Sequence, residues 1–261
     1  MKNNSAVRHG IAIVSGASSG MGREFVRQLD QSGEYEQIWV IARRAERLEQ
    51  LAAECKGKIV PIAADLSTKE GLEKIRTRLA EEKPEVSTLV NGAGFGKYGT
   101  YLDLTDDEID GMIDLNDKSM VHMTYSVLPY MSEGSRILTI GSASAFQPLP
   151  EFNMYAATKA FVVSFCRALN VELRQRKITV TCVCPGFVRT EFFAVAQDTK
   201  NPNTCQNFKP MYEPADVVKK ALKDSRRGKD ISILGLNTKF KRLAARLLPT
   251  KTVMNAWLRI K

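Results

Sequence analysis

Short apolar segments of the strand type alternate with helical segments along most of the chain. Seven strands are predicted, at Gly10–Ser15, Ile38–Ala42, Lys58–Ala64, Val86–Asn91, Arg136–Ser142, Ile178–Cys184 and Ile231–Gly235. Helices are predicted between them, at residues 20–31 and at Arg43–Cys55, Thr68–Glu82, Asp106–Met131, Asn153–Lys177 and Pro214–Arg226. This alternation is typical of a parallel sheet with helices on both faces. We therefore predict an α/β fold with a doubly wound, seven-stranded parallel sheet.

The length of 261 residues suits one large domain. No repeat, low-complexity stretch or linker marks a second one, so we predict a single domain over 1–261. Its core is expected at 10–235, followed by a basic helical extension at 236–261. The segment Phe187–Tyr212 is long and lacks clear periodicity, which is typical of a functional loop or lid.

Several classes of protein are disfavoured by the composition. The apolar runs fall short of the ~18 residues that cross a bilayer, and residues 1–9 contain no apolar signal-peptide core. A cytoplasmic protein is expected. Five cysteines fit no disulfide framework, and Cys182 and Cys184 should face the same buried side of one strand. His9 and His122 stand far apart, so neither a metal site nor a histidine triad is predicted.

Tyr155 and Lys159 are the main candidates for catalysis. Residues four apart share one face of a helix, so the phenol and the ammonium are expected side by side. The ammonium should lower the pKa of the phenol from its usual value near ~10. Ser142, at the end of a predicted strand, is placed to hold a substrate oxygen against the phenol. A tyrosine and a lysine on a solvated helix face would give the same spacing.

A glycine-rich turn, Gly16-Ala17-Ser18-Ser19-Gly20-Met21-Gly22, links the first strand to a helix. Such a turn lets a pyrophosphate approach the N-terminus of the helix. Together with Asn91-Gly92-Ala93-Gly94, Ser142, Tyr155/Lys159 and Pro185-Gly186, in this order, it resembles the short-chain dehydrogenase/reductase family. The resemblance covers Gly10 to Gly235 and implies a Rossmann-type fold. The chain departs from the family pattern at Gly92, where a second Asn is usual, and at Ser15, where Thr is usual.

The resemblance implies a role for each matching residue. Tyr155 would be the general acid/base, Ser142 would orient the carbonyl or hydroxyl, and Asn116 would support a proton relay through water. Lys159 would lower the tyrosine pKa and hold the nicotinamide ribose, Asp65 would contact the adenine, and Val188 and Thr190 would dock the nicotinamide carboxamide and the phosphates. The full set of expected cofactor-binding residues is Gly16, Ser18, Ser19, Gly20, Met21, Gly22, Arg43, Arg44, Asp65, Leu66, Asn91, Gly92, Ala93, Tyr155, Lys159, Pro185, Gly186, Val188 and Thr190. No metal is needed.

The residues after the second strand predict the cofactor. NAD-binding relatives of this fold place an acid there to hold the ribose 2′-hydroxyl. Here Ala42 takes that position and is followed by Arg43 and Arg44, which can bind a 2′-phosphate. Arginine is also an unusual choice for the first turn of a helix, where the dipole favours acids. NADP(H) is predicted.

Apolar and aromatic side chains crowd the segments expected around the site, which favours a bulky apolar substrate. They are Phe95, Tyr98, Leu149, Phe152, Met154, Phe187, Phe192, Phe193, Phe208, Met211 and Tyr212. Phe95-Gly96-Lys97-Tyr98-Gly99 and the basic extension are similar to the branch that acts on hydroxysteroids and lipid-like carbonyls. A hydroxysteroid or bile acid is the leading substrate expectation. A β-ketoacyl thioester reductase, a general carbonyl reductase and a non-enzymatic NADP sensor are the alternatives.

Two further parts of the sequence suggest contacts with other subunits or with a membrane. The helix after Tyr155 is apolar nearly all round, and family members dimerise or tetramerise through this helix, so a homo-oligomer is expected. The extension carries seven basic residues and no acid, with apolar stripes at 240–248 and 253–258. We expect both stripes to pack on the protein, closing the substrate pocket or covering a partner subunit, and favour a cap near the active site with at most weak contact with an anionic membrane. No groove-reading motif favours nucleic acid.

Overall fold

One parallel sheet organises the computed structural model, which describes residues 10–260. The expectation for residues 1–9 lies outside this range. The sheet has seven strands in the order β3-β2-β1-β4-β5-β6-β9. Their bounds are β1 Ile11–Ser15, β2 Gln37–Ala42, β3 Ile59–Ala63, β4 Val86–Asn91, β5 Arg136–Ile140, β6 Thr179–Val183 and β9 Ile231–Ser232. All neighbouring pairs are parallel, which confirms the predicted sheet.

Helices cover both faces because the strands are apolar on both sides. In β1 all five residues are buried; Ile11 and Ile13 face one core, and Ala12 and Val14 face the other. Helices α3 (Lys69–Glu82), α5 (Ser119–Val127) and α6 (Asn153–Glu172) bury their apolar residues on the first side. Helices α1 (Gly20–Ser32), α2 (Ala45–Glu54) and α8 (Pro214–Arg226) do so on the second. The chain crosses between the faces where β1 lies beside β4, which opens a crevice at the carboxyl ends of these strands.

The helix predicted at Asp106–Met131 is present as an unbroken helical segment from Asp106 to Tyr130, but it is not α-helical throughout. Helix α4 (Asp106–Ile113) begins with a capping box between Thr105 and Glu108, and it continues into a π-helical turn at Asp114–Lys118 before α5. The N–H of Ser119 bonds to the carbonyl of Asp114, five residues back, so this turn holds one extra residue. A short 3₁₀ turn then ends the segment. The spacing of apolar residues in the sequence does not reveal one extra residue inside a helical turn, so the π-helical turn could not be predicted.

Regular structure also occurs within the predicted loop Phe187–Tyr212. Strands β7 (Phe187–Val188) and β8 (Met211–Tyr212) pair in parallel, and α7 (Phe192–Gln197) lies between them. Elements of two and six residues are too short for periodicity to reveal. This pairing holds the two ends of the segment together beside the crevice.

The extension forms two helices, α9 (Leu236–Leu247) and α10 (Thr250–Ile260). Trp257 of α10 is buried, and its indole N–H donates to the carbonyl of Pro150 at 2.9 Å. In α9 only Thr238 is buried, so the expectation that both apolar stripes pack on the protein is wrong for this helix. No helix in the described part of the chain is long and apolar enough to cross a membrane.

Candidate active site

A cavity of about 570 Å³ occupies the crevice at the carboxyl ends of the strands. Its polar end is lined by the turns after β1, β2 and β3, and its aromatic end by the loops after β4, β5 and β6 and by the two terminal helices. Of the predicted site residues, only Asn91 and Asn116 do not line it. The structure therefore brings together side chains that lie as far apart in the sequence as Gly16 and Thr190.

The glycine-rich turn needs its glycines for close packing. Gly16 and Gly20 have φ angles of +67° and +54°, in the left-handed region. A Cβ on Gly22 would lie 2.2 Å from the carbonyl oxygen of Gly16. Ser15 accepts hydrogen bonds from the N–H groups of Gly92 at 3.1 Å and Ala93 at 3.4 Å, so the turn is fastened to the end of β4. The N-cap of α1, Ser19, makes no side-chain cap, and its neighbours line the cavity. This helix terminus is therefore directed at the crevice.

The two arginines after β2 take different positions. Arg44 donates from Nη2 to the hydroxyls of Ser18 at 3.0 Å and Ser19 at 2.9 Å, and from Nη1 to Glu191 at 3.2 Å. Arg43 is mostly exposed, and its Nη1 lies 3.8 Å from a carboxylate oxygen of Asp65. Both guanidinium groups line the cavity. Arg44 thus joins the glycine-rich turn, while Arg43 stays at the open edge.

Glu191 links this polar end to the segment before α7. It accepts from Arg47 at 2.6 Å as well as from Arg44. The hydrogen bond from Arg47 is the main cause that lowers the pKa of Glu191, with Arg44 adding to it. Sequence reasoning missed this residue, because ion pairs between distant segments leave no local pattern.

Tyr155, Lys159 and Ser142 meet in the middle of the cavity, and all three are buried. The Lys159 ammonium lies 5.6 Å from the centroid of the Tyr155 ring and donates to the carbonyl of Ile140 at 2.8 Å. Ser142 is the N-cap of a 3₁₀ turn, where its hydroxyl accepts from the Ser144 N–H at 3.1 Å and also bonds the Ser144 hydroxyl. Ser144 therefore fixes the rotamer of Ser142.

The predicted lowering of the tyrosine pKa by the lysine is wrong for this structure. Burial raises the pKa of Tyr155, and the hydrogen bond with Ser142 opposes that shift. Burial likewise lowers the pKa of Lys159, while nearby Cys182 and Asp117 oppose it. The tyrosine is fully enclosed, so the cost of burying a phenolate dominates. Tyr155 holds its proton at neutral pH.

Asn116 lies on the π turn, behind the cavity wall. Its amide nitrogen donates to the Phe95 carbonyl at 2.9 Å and to the Thr158 hydroxyl at 3.0 Å, and its oxygen accepts from the Phe95 N–H at 3.0 Å. Thr158 in turn donates to the carbonyl of Tyr155 at 2.9 Å. Both amide hydrogens of Asn116 and one lone pair of its oxygen therefore hold the loop after β4 against α6.

Two polar side chains near these residues, Asn91 and Asp117, do not line the cavity. The Asn91 amide donates to Thr124 at 2.9 Å and Thr139 at 3.3 Å, so its nitrogen serves internal packing rather than the cavity. Burial raises the pKa of Asp117 to about 7, opposed by the Lys159 ammonium. One buried oxygen of Asp117 has no hydrogen-bond partner among the described residues. A carboxyl near Lys159 thus changes its charge near neutral pH.

Stacked rings form the aromatic end. The Phe152 ring lies between those of Tyr98 and Tyr155, with centroid distances of 4.0 Å and 4.5 Å, and Phe192 contacts Tyr155 from another side. Of the predicted apolar wall, seven residues line the cavity: Phe95, Tyr98, Leu149, Phe152, Phe187, Phe192 and Phe193. The other four, Met154, Phe208, Met211 and Tyr212, do not line it.

Trp257 and Lys97 complete this end. The Trp257 ring closes the cavity from α10, as expected for a capping extension. Lys97 also lines the cavity, although it is nearly buried, and its ammonium lies 3.3 Å from Glu108 and 3.6 Å from Asp198. This ion cluster joins the loop after β4 to α4 and to the residue after α7. Its partners lie too far apart in sequence to be foreseen.

Comparisons with known proteins agree with this geometry. The family model of the short chain dehydrogenases matches residues 10–201. A very-long-chain 3-oxoacyl-CoA reductase of Anas platyrhynchos is 32% identical over 255 residues, covering 94% of this chain and 77% of that protein. An NADP-dependent 3-hydroxy acid dehydrogenase of Salmonella typhi is 32% identical over 216 residues, covering 80% and 86%. The solved structure of a short-chain dehydrogenase from Sphingobium yanoikuyae in complex with NADPH superposes with a TM-score of 0.77, at 28% identity over 90% of this chain and 92% of that one.

Proposed function

The chain belongs to the short-chain dehydrogenase family, and on that premise we propose that it interconverts a secondary alcohol and a ketone on a bulky apolar substrate with NADP(H). As a family member it is an oxidoreductase acting on CH–OH and keto groups. One cavity contains three features that support the proposal. They are a polar end suited to binding phosphate, the group formed by Ser142, Tyr155 and Lys159, and a wall of aromatic rings.

The polar end fits the cofactor. Guanidinium and hydroxyl groups lie there at the N-terminus of a helix, a donor set suited to phosphate, and the carboxylates of Asp65 and Glu191 lie beside the two arginines. An NAD-binding site would have an acidic residue at the end of β2. Here Ala42 ends that strand, so no carboxylate is present at this position. Arg43 and Arg44 would hold the 2′-phosphate, the glycine-rich turn would accommodate the pyrophosphate, and Lys159 would hold the ribose. When bound, NADP(H) supplies or accepts the hydride.

The chain's own residues then manage the proton and the orientation of the substrate. Tyr155, protonated at neutral pH, holds the proton that a carbonyl oxygen needs as the carbonyl becomes an alcohol. Ser142 shares a hydrogen bond with this phenol and would hold the same oxygen in line. In the reverse direction the hydrogen bond with Ser142, which lowers the pKa of the phenol against the effect of burial, would stabilise the phenolate that accepts the proton. The Asn116 and Thr158 contacts keep the tyrosine in place.

A hydroxysteroid or bile acid is the substrate we favour. Seven apolar residues from three loops and an indole ring enclose the space beyond Tyr155, a shape suited to a rigid, apolar ring system. Ser142 and Tyr155 would fix the reacting oxygen and the rings would hold the rest of the substrate by contact, while Lys97, Gln147 and Lys241 add polar groups to the lining.

A long-chain 3-oxoacyl thioester is the second candidate. The relative named as a very-long-chain 3-oxoacyl-CoA reductase aligns with 94% of this chain, which includes part of the basic extension. Lys241 lines the cavity close to other basic side chains of α9, which suits the phosphates of such a thioester. An acyl chain could fill the same aromatic wall.

A substrate screen tests the proposal and separates the candidates. The purified protein is mixed with NADPH or NADH and with oxo-steroids, oxo-bile acids, 3-oxoacyl thioesters of several lengths, and small ketones, and oxidation of the cofactor is followed by absorbance. We expect turnover with NADPH and the bulky ring ketones. Turnover only with thioesters would select the second candidate. No turnover with any bulky ketone would overturn the assignment of the apolar end.

We also propose that the protein forms a homo-oligomer through α6. Phe161 is 46% exposed on this helix and stacks with Phe165, which in turn contacts the half-exposed ring of Tyr125 on α5. An apolar face of this kind gains stability when another subunit covers it.

A further inference from the structure

Helix α9 presents an apolar stripe to the outside of the molecule. Leu236, Phe240, Leu243 and Leu247 follow the i, i+4, i+7, i+11 spacing of one helical face. Their exposed fractions are 82%, 68%, 52% and 71%. Single exposed apolar residues are ordinary on a protein surface, but four in a row on one helix mark an interaction surface.

Positive charge accompanies this stripe. Lys239, Lys241, Arg242 and Arg246 lie on α9, Lys251 and Arg259 lie on α10, and neither helix contains an acid. Within residues 10–260, none of these six side chains takes part in an ion pair. The partner of this surface must therefore be apolar in part and negatively charged in part.

The other side of α9 is held by the body of the protein. Thr238 is buried, and the Arg242 guanidinium lies 5.1 Å above the ring of Phe146, which lines the cavity. Asn237, Thr238 and Lys241 line the cavity too, together with Trp257 from α10. The apolar stripe is thus anchored beside the substrate end of the cavity.

We propose that α9 docks flat on an anionic lipid bilayer, with its leucines and Phe240 in the interface and its basic residues among the headgroups. A basic amphipathic helix with large apolar residues fits this kind of surface. A second copy of the chain fits it less well, because a symmetric contact would bring the same unpaired basic residues together. Docking in this orientation places the substrate end of the cavity near the membrane, where an apolar substrate dissolves.

Vesicle flotation with the full chain tests the proposal. The protein is incubated with vesicles of phosphatidylcholine alone, and with vesicles that also contain phosphatidylglycerol. We expect binding to the anionic vesicles that falls as salt is added, because the headgroup attraction is screened. The double variant Phe240→Ser/Leu247→Ser should lose binding by about tenfold or more, since both side chains lose their burial in the interface. Lys239→Gln/Arg246→Gln should lose binding to the anionic vesicles only.

Two controls distinguish docking from loss of fold. Tyr101→Ser/Leu102→Ser removes apolar side chains that are 83% and 68% exposed in the loop after β4, outside both α9 and α6, and should bind vesicles like the wild type. Turnover of a small soluble ketone should be unchanged in the α9 variants, which leave the cavity lining intact. If the protein turns over no ketone, an unchanged far-ultraviolet circular dichroism spectrum and melting temperature show that the variants are folded. Equal binding by the wild type and the Phe240→Ser/Leu247→Ser variant would overturn the proposal. The proposal would also be overturned if the wild type did not bind anionic vesicles but formed a dimer that the Phe240→Ser/Leu247→Ser variant could not form.

Discussion

At the polar end of the cavity, the lining side chains come from turns that directly follow β1, β2 and β3. At the aromatic end they come from three longer loops and from two helices at the other end of the chain. The polar end is held by backbone geometry, such as the close approach of Gly22 to the Gly16 carbonyl. The aromatic end is held by contacts between side chains, such as the Trp257 bond to Pro150.

This difference indicates which part of the molecule can change its specificity. Turns at the ends of adjacent parallel strands are fixed by the register of the sheet, so the polar end tolerates little rearrangement. Loops and terminal helices can shift or exchange rings without disturbing the strands. The two ends should therefore respond separately to mutation.

The largest effect is expected at the border between the two ends. Tyr155→Phe removes the hydroxyl that transfers the proton but keeps the ring stacked on Phe152. The turnover number should fall by about 10²–10⁴-fold, the usual contribution of general acid–base catalysis. NADPH binding, measured by fluorescence titration, should change little. The control is Tyr125→Phe on α5; near-normal turnover by Tyr155→Phe would mean that another group transfers the proton.

A smaller effect, confined to the polar end, is expected for Arg43→Ala. Loss of a charge-assisted contact with the 2′-phosphate should weaken NADPH binding by about 10- to 100-fold. NADH affinity and the KM of the ketone should stay the same, because neither depends on that phosphate. Arg44→Ala should weaken both cofactors, since Arg44 also bonds the hydroxyls of Ser18 and Ser19. Equal use of NADPH and NADH by the unmodified protein would contradict the assignment.

The smallest effect is expected for Trp257→Ala at the aromatic end. Removing the ring that closes the cavity should raise the KM of a bulky ketone by about tenfold, the loss expected for roughly one buried aromatic contact. Trp257→Phe keeps an aromatic ring but loses the hydrogen bond to the Pro150 carbonyl, so its KM should lie between those of the wild type and Trp257→Ala. Cofactor affinity should not change in either variant. A parallel loss of NADPH affinity would show that the two ends are coupled.

The polar end could be predicted residue by residue because its signals are local. The turn from Gly16 to Gly22, the arginines after Ala42 and the Tyr155–Lys159 pair each lie within one short stretch of chain, and the alternation of elements places all of them at the same edge of the sheet. The sheet itself was predicted correctly for the same reason, since its strands are short runs with both faces buried.

The remaining features depend on tertiary contacts that no local pattern contains. The Glu191 bridge to Arg44 and Arg47 joins residues more than a hundred positions apart. The pKa values of Tyr155 and Asp117 depend on how completely the folded chain encloses them. Amphipathic spacing in α9 predicted a helix but could not say which way its apolar face would turn. The substrate end is recognisable in the sequence only as an excess of aromatic residues.

In the gene, the π turn at Asp114–Lys118 differs from an ordinary helical turn by a single codon. Because the turn already holds one residue more than an α-helical turn, deleting one codon there would let the backbone close as a continuous α-helix with α4 and α5 keeping nearly the same faces. Met112 would stay buried against the aromatic end, but Asn116, which lies within the turn, would be displaced and would lose its hydrogen bonds with Phe95. This stretch should accept substitutions more readily than any change of length.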